Sequence, residues 1–196
     1  MGKIIYLMGK SSTGKDTIYK RLLESKDIDV AMIVPYTTRP IRANEKQGVE
    51  YFFTNEEEFD KLARAGKVIE ARVYHTYHGD WRYFTVDDGQ IDLQNTRNYM
   101  IIGTLESYRQ TARYFGNESM IPVLIELDDG IRLQRALDRE KIQKEPKYQE
   151  MCRRFLADAE DFSEENISLA NIDKRFHNNV LEDCLQEITT YIRKNL

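Results

Sequence analysis

The residue types best placed to do chemistry lie near the start of the chain, in Gly9-Lys10-Ser11-Ser12-Thr13-Gly14-Lys15-Asp16-Thr17. An apolar run, Ile4-Ile5-Tyr6-Leu7-Met8, stands directly before them, and an amphipathic pattern through Ile18, Leu22 and Leu23 follows. A strand, a glycine-bounded loop and a helix start in that order form a cradle for nucleotide phosphates. The glycines let successive N–H groups turn inward, the helix adds its positive end, and the Lys15 ammonium can reach β- and γ-phosphates. One position departs from the common G-x-x-x-x-G-K-[ST] form, because Asp16 stands where a hydroxyl ordinarily ligates Mg²⁺. A carboxylate there can bind the metal directly or through water, and without metal it repels a triphosphate. An acidic residue is also favoured at a helix N-terminus in its own right, so both readings stand.

A second group follows in Thr37-Thr38-Arg39-Pro40-Ile41-Arg42 and Gly48-Val49-Glu50-Tyr51-Phe52-Phe53. Two guanidiniums three residues apart, with a phenol nine residues later, could converge on one phosphate, since Arg offers a planar fork matched to its oxygens. Taken alone, the two arginines are better explained as ordinary surface ion pairs. By the same standard Glu70, on the alternating run Val68–Val73, is a structural strand carboxylate.

The elements that must hold these residues alternate. Strand-like runs at Lys3–Met8, Val30–Val34, Tyr99–Gly103 and Ile121–Leu127 are separated or followed by helical patterns at about 16–25, 105–115 and 131–139. A short strand near Arg175–His177 and a helix from about Leu181 close the chain. This alternation predicts a parallel sheet with helices on both faces. Between about 35 and 90 the pattern changes to short strands (Tyr51–Phe53, Val68–Val73, Tyr83–Val86) around a helix capped by Asn55 and Glu58 and stopped at Gly66. The charged stretch Glu140–Gln149, with Pro146, suits a mobile lid or a solvated helix–helix loop.

With 196 residues, 41% of them apolar and 32% charged, the chain suits one globular domain with an inserted subdomain. A net charge of −4 leaves no general nucleic-acid footprint. Cys152 and Cys184 lack metal-ligand spacing, which favours a reducing, cytoplasmic setting. The start of the chain leads straight into a strand, so no signal peptide is expected, and no apolar run reaches membrane-spanning length.

The phosphate loop, the T-T-R-x-x-R-A-x-E-x-x-G-x-x-Y-x-F motif at 37–53 and V-I-E at 68–70 together resemble the guanylate kinase family. The segment from Arg139 to Arg154 and Asn178 extend the resemblance over nearly the whole chain. It implies an α/β P-loop NTPase fold with a core at 1–34 and 91–196, an acceptor-binding insertion at about 35–90 and a helical lid at about 139–154. The implied activity is transfer of the ATP γ-phosphoryl group to a nucleoside monophosphate, with GMP as acceptor and Mg²⁺ accompanying ATP. On this resemblance the loop from Gly9 to Thr17 and Asn178 bind ATP, with Lys15 bridging its β- and γ-phosphates. Arg39, Arg42 and Tyr51 hold the acceptor phosphate, while Glu70, Tyr83 and Thr85 address the base. Arg135, Arg139 and Arg154 close on the transferring group, with Arg153 as the neighbour one register away. The implied partners are small molecules rather than nucleic acid or membrane, and a homodimer is compatible with them. His75, His78 and His177 then have structural or solvated roles, because phosphoryl transfer needs no histidine or cysteine nucleophile.

Four departures accompany the resemblance. Asp16 takes the magnesium hydroxyl position. Pro35 replaces a serine that the family uses beside guanine. The Tyr-Gly-[Ser/Thr] element aligns with Tyr83-Phe84-Thr85 only across a four-residue insertion containing Trp81, and His78-Gly79-Asp80 is the rival register. The strand ending at Gly103-Thr104 lacks the family's Asp-x-Asp pair, and Glu106 is the nearest acid. The Gly-Lys-Asp triplet at 14–16 and Thr38-Arg39-Pro40 also resemble ribose 1,5-bisphosphate phosphokinase, a relative that reads no base. A third reading is an inactive guanylate-kinase-like binding module, against which stand Lys15 and the arginines at 135, 139 and 154.

Overall fold

The computed structural model describes residues 1–76 and 79–196. In chain order its elements are β1 (Ile4–Met8), α1 (Lys15–Glu24), β2 (Val30–Met32), β3 (Tyr36–Thr37), β4 (Phe52–Phe53), α2 (Glu56–Arg64), β5 (Val68–Thr76) and β6 (Gly79–Val86). They continue as β7 (Asn98–Gly103), α3 (Leu105–Phe115), β8 (Met120–Glu126), α4 (Asp129–Lys141), α5 (Tyr148–Asp161), α6 (Glu164–Leu169), β9 (Arg175–His177) and α7 (Leu181–Asn195).

All five residues of β1 are fully buried, because both faces of this strand are covered. Such a strand has no solvated side, which accounts for five apolar residues in succession. It lies at the centre of a parallel sheet ordered β2–β7–β1–β8–β9. Alternation along β1 builds two cores. Ile4, Tyr6 and Met8 pack with Ile101, Tyr108, Leu124, Phe162 and Ile167, while Ile5 and Leu7 pack with Ile18, Leu22, Phe176, Ile188 and Ile192. Thus α1 and α7 cover one face, and α3 with α6 and the segment after α5 cover the other. The expected parallel α/β sheet is present.

A second sheet, ordered β4–β3–β6–β5, holds the inserted segment. One of its faces is an aromatic cluster, with the Phe84 ring 5.4 Å from Tyr36 and 4.9 Å from Phe59 on α2. The strand period of two sends the intervening residues to the opposite, polar face. There the register sets Glu70 beside Thr85, Arg72 beside Tyr83, and Thr37 beside Tyr83. Asn55 caps α2 by accepting the Glu58 N–H at 2.9 Å.

Two expectations need correction. The short strands at Val68–Val73 and Tyr83–Val86 run longer, as β5 to Thr76 and β6 from Gly79, because they pair antiparallel in register as far as Thr76 and Gly79. The two-residue β3 is absent from the sequence pattern, since Tyr36-Thr37 is too short to show a period and pairs only through tertiary contact. Among the described residues no helix is long and apolar enough to cross a membrane.

Candidate active site

The phosphate loop leaves the C-terminal end of β1, between β7 and β8, and enters α1 at Gly14. In an open parallel sheet this is where ligands find crevices. Gly14 has φ +89°, and a Cβ there would stand 2.4 Å from Asn178 Nδ2, so both backbone angle and space require glycine. The Asn178 amide donates to the Thr13 carbonyl at 2.7 Å and so ties the loop to the end of β9. Thr13 itself bonds back to the Lys10 carbonyl through Oγ1 at 2.9 Å. Lys15 is half-buried and forms no ion pair among the described residues, whereas Asp16 and Thr17 are exposed on the first turn of α1. Ser12 Oγ and Asn178 Oδ1 are buried without a hydrogen-bond partner among the described residues. The Ser12 hydroxyl and the Lys15 ammonium can donate to a phosphate, whereas Asn178 Oδ1, an acceptor, calls for a donor such as a ligand amino or hydroxyl group. A cleft of about 470 Å³ opens beside the loop between Lys10, Thr13, Glu126, Asp129 and His177.

Three arginines of α4 and α5 flank this loop. Arg135 Nη1 lies 3.8 Å from the position a Gly14 Cβ would take. Arg139 and Arg154 border a recess with Ser11, Ser12 and Phe155. Arg153 does not border it and instead forms two 2.8 Å bonds to Glu150, while Arg154 stands 3.5 Å from the same carboxylate. All four of these arginines are exposed.

Sequence reasoning missed the group beneath them. Arg132, only 1% exposed, donates through Nε to the Ser11 carbonyl at 2.9 Å and through Nη2 to Asp158 at 2.8 Å. It also contacts Asp129, and the Phe155 ring lies 5.0 Å from its guanidinium carbon. The same Asp158 oxygen accepts the Ser11 N–H at 2.7 Å. Both peptide groups of Ser11 are therefore anchored, one to α4 and one to α5. The helix α4 buries Arg132, Ala136 and Glu140 while Ile131 and Leu133 stay largely exposed. Hydropathy alone would turn that helix the other way, and the only signal is the i, i+4, i+8 spacing through the small Ala136.

The residues of the inserted segment singled out by the sequence fall into two groups. Arg39 is 3% exposed and grips Glu45 with two bonds, at 2.8 and 2.9 Å, while Nε donates to Tyr83 Oη at 3.1 Å. Tyr51 and Phe53 rings each lie 5.4 Å from its guanidinium carbon. Burial works against the charge of Arg39, but Glu45 and Tyr83 outweigh it and raise its pKa; hydrogen bonding from Arg39 in turn holds Glu45 below the usual carboxylate range. Arg42 is exposed and its side chain has no hydrogen bond or close ion pair among the described residues. The two arginines, three residues apart in sequence, are thus differently engaged.

Glu70 is buried on the polar face of the second sheet. Thr85 Oγ1 donates to its Oε1 at 2.8 Å, and Arg72 Nε donates to its Oε2 at 3.1 Å. Burial pushes the Glu70 carboxyl upward, while Arg72 and Thr85 pull against that shift. Thr85 therefore stands beside Glu70 and Tyr83 beside Arg72, whereas Asp80 pairs with the exposed His75 on the two long strands. His78, in the rival register, lies outside the described residues. At the end of β7, a Cβ on Gly103 would sit 2.5 Å from Tyr6 Oη, so the phenol fills space that a side chain would otherwise take.

Comparison with known proteins follows the same lines. The family profile described as guanylate kinase matches residues 1–195. A guanylate kinase of Mycoplasma mobile is 43% identical over 79 residues, covering 40% of this chain and 39% of that protein. A guanylate kinase of Oceanobacillus iheyensis is 36% identical over 93 residues, covering 45% of each. This chain thus spans less than half the length of the curated relatives it matches. The crystal structure of guanylate kinase from Anaplasma phagocytophilum superposes with a TM-score of 0.68, covering 98% of this chain and 85% of that one. At 19% identity that likeness speaks for the fold, a central parallel sheet flanked by helices. With the family profile running from one end of the chain to the other, the chain belongs to the guanylate kinase family.

Proposed function

We propose that this chain transfers the γ-phosphoryl group of ATP to a nucleoside monophosphate, with GMP as the acceptor. What supports this most is the pairing of two polar surfaces. One is the phosphate loop with its unpaired Lys15, and the other is the sheet face carrying Glu70, Thr85 and Tyr83. They adjoin at the end of β7, where Arg72 Nη1 lies 3.5 Å from Thr104 Oγ1.

In this reading the loop amides and Lys15 hold the donor phosphates. Arg39, Arg42 and Tyr51 fix the acceptor phosphate so that one of its oxygens bonds to the γ-phosphorus as the bond to the β–γ bridging oxygen breaks. Glu70 accepts from the N1–H and 2-amino group of guanine, a donor pair that adenine lacks. Arg135, Arg139 and Arg154 neutralise charge on the equatorial oxygens, which together with alignment is most of what phosphoryl transfer asks of a protein. An ADP-release assay across GMP, dGMP, AMP, UMP, IMP and ribose 1,5-bisphosphate tests the reading. Turnover highest with GMP or dGMP is expected. Turnover confined to ribose 1,5-bisphosphate overturns the acceptor, and ATP binding without turnover overturns the activity.

Among the described residues no three His, Cys, Asp or Glu side chains are grouped to hold a metal. The chain's residues thus fit a metal that arrives with ligands of its own, as Mg²⁺ on a triphosphate does, with the exposed Asp16 as the protein's contribution. When bound, Mg²⁺ would supply neutralisation of the charge that develops on the phosphate oxygens, with Asp16 as the residue that would help hold it. At 4 Å and an effective dielectric of about 20, a carboxylate–phosphate charge pair is worth roughly 4 kcal/mol of repulsion that only the metal offsets. Metal-free ATP is accordingly expected to bind more tightly to Asp16→Ser than to wild type. Asp16→Ala is expected to need more Mg²⁺ to saturate turnover. Titration calorimetry with and without chelator checks this, and equal affinities and metal dependence in all three proteins would leave Asp16 a helix-terminal carboxylate.

A further inference from the structure

The Glu70 carboxylate has no open edge. Its side chain is 0% exposed, and both oxygens are taken within the protein. Arg72 Nε donates to Oε2 at 3.1 Å, Arg72 Nη2 lies 3.4 Å from Oε1, and Thr85 Oγ1 holds Oε1 at 2.8 Å. Arg72 thus presents two neighbouring N–H groups to the two carboxylate oxygens, a fork with the same donor pattern as the N1–H and 2-amino group of guanine. The two forks cannot share one carboxylate edge. Placement makes the overlap unavoidable, because residues 70 and 72 are two apart on β5 and project from the same face.

A buried carboxylate without a partner is costly, so something must satisfy Glu70 while the site is free of ligand. We propose that Arg72 is a specificity-determining residue that occupies the base-reading edge of Glu70 in the free protein and must withdraw before a guanine base is read. This rests on the reading of GMP as acceptor. Arg72 then acts as an internal competitor. Only a ligand that brings its own two-donor edge recovers what Glu70 gives up, so a base such as adenine meets a carboxylate already in use. The cost falls on guanine, whose binding Arg72 weakens, while a base that makes no contact with Glu70 is unaffected.

The test compares wild type with Arg72→Lys and Arg72→Ala. Lysine keeps a cation near Glu70 but has no fork, and it guards against a failure of Arg72→Ala to fold, with thermal melting as the check. The apparent KM for GMP is expected to fall about tenfold, the equivalent of one charge-assisted hydrogen bond freed for the ligand. KM for AMP and ATP should hold steady, and IMP, which lacks the 2-amino group, should gain less than GMP. A merely structural Arg72 would move melting temperature and leave the GMP-to-IMP ratio where it was. A folded Arg72→Lys whose KM for GMP equals or exceeds that of wild type overturns the proposal. Wild type is measured alone first, and if it neither binds nor phosphorylates GMP, the acceptor assignment falls and this inference with it.

Discussion

Arg132→Ala is expected to destabilise the folded chain by about 3–5 kcal/mol, the range for removing one member of a buried ion pair. The guanidinium is 1% exposed and bonds to Ser11, Asp129 and Asp158 at once. Its removal leaves the Asp158 carboxylate, on a side chain 16% exposed, facing a cavity with only the Ser11 N–H to satisfy it. For a chain of this size each kcal/mol is worth about 2–4 °C, so melting should fall by roughly 10 °C. The double variant Arg132→Met with Asp158→Leu removes both charges and should recover part of the loss, since a well-packed apolar pair can replace a buried ionic one. Differential scanning calorimetry of the two variants decides the matter. A melting point within about 2 °C of wild type for Arg132→Ala would show that this node contributes little to the fold.

Arg39→Ala and Arg42→Ala are expected to separate stability from activity. Each should cost about 2–4 kcal/mol in kcat/KM for the acceptor, as expected for losing a charged partner of a bound phosphate. Arg39 is also the buried partner of Glu45 and a donor to Tyr83, so its loss should lower the melting temperature as well. Arg42 is exposed and holds nothing in place through its side chain, so Arg42→Ala should shift stability by less than about 0.5 kcal/mol. Steady-state kinetics and melting on the same preparations make the comparison. Wild-type kcat/KM in both variants would remove these arginines from the acceptor site. An equal loss of stability in both would show that exposure is a poor guide to their roles.

The amino-acid sequence alone was enough to place the glycine-bounded loop between β1 and α1 and the parallel sheet that carries it. Both are local in origin: Ile4–Met8 shows burial on two faces by lacking any polar residue, and Gly14 shows a left-handed turn by being glycine. Within the second sheet the runs at Tyr51–Phe53, Val68–Val73 and Tyr83–Val86 were legible as strands for the same reason, although the two-residue strand β3 left no periodic trace. What the tertiary structure decided is which of several chemically similar side chains are committed to partners far away in the chain. Arg39 and Arg42 look alike in sequence, yet Glu45 and Tyr83 bury one and leave the other free. Arg132 reads as one more charged residue on a solvated helix until Ser11, 121 positions away, and Asp158 close around it. Glu70 and Arg72 are two residues apart on one strand, but only the adjoining strand with Thr85 and the end of β7 bury them together. Backbone turns and strand burial are written in neighbouring residues, whereas the desolvation that makes a charge strong, paired or costly is set by everything packed around it.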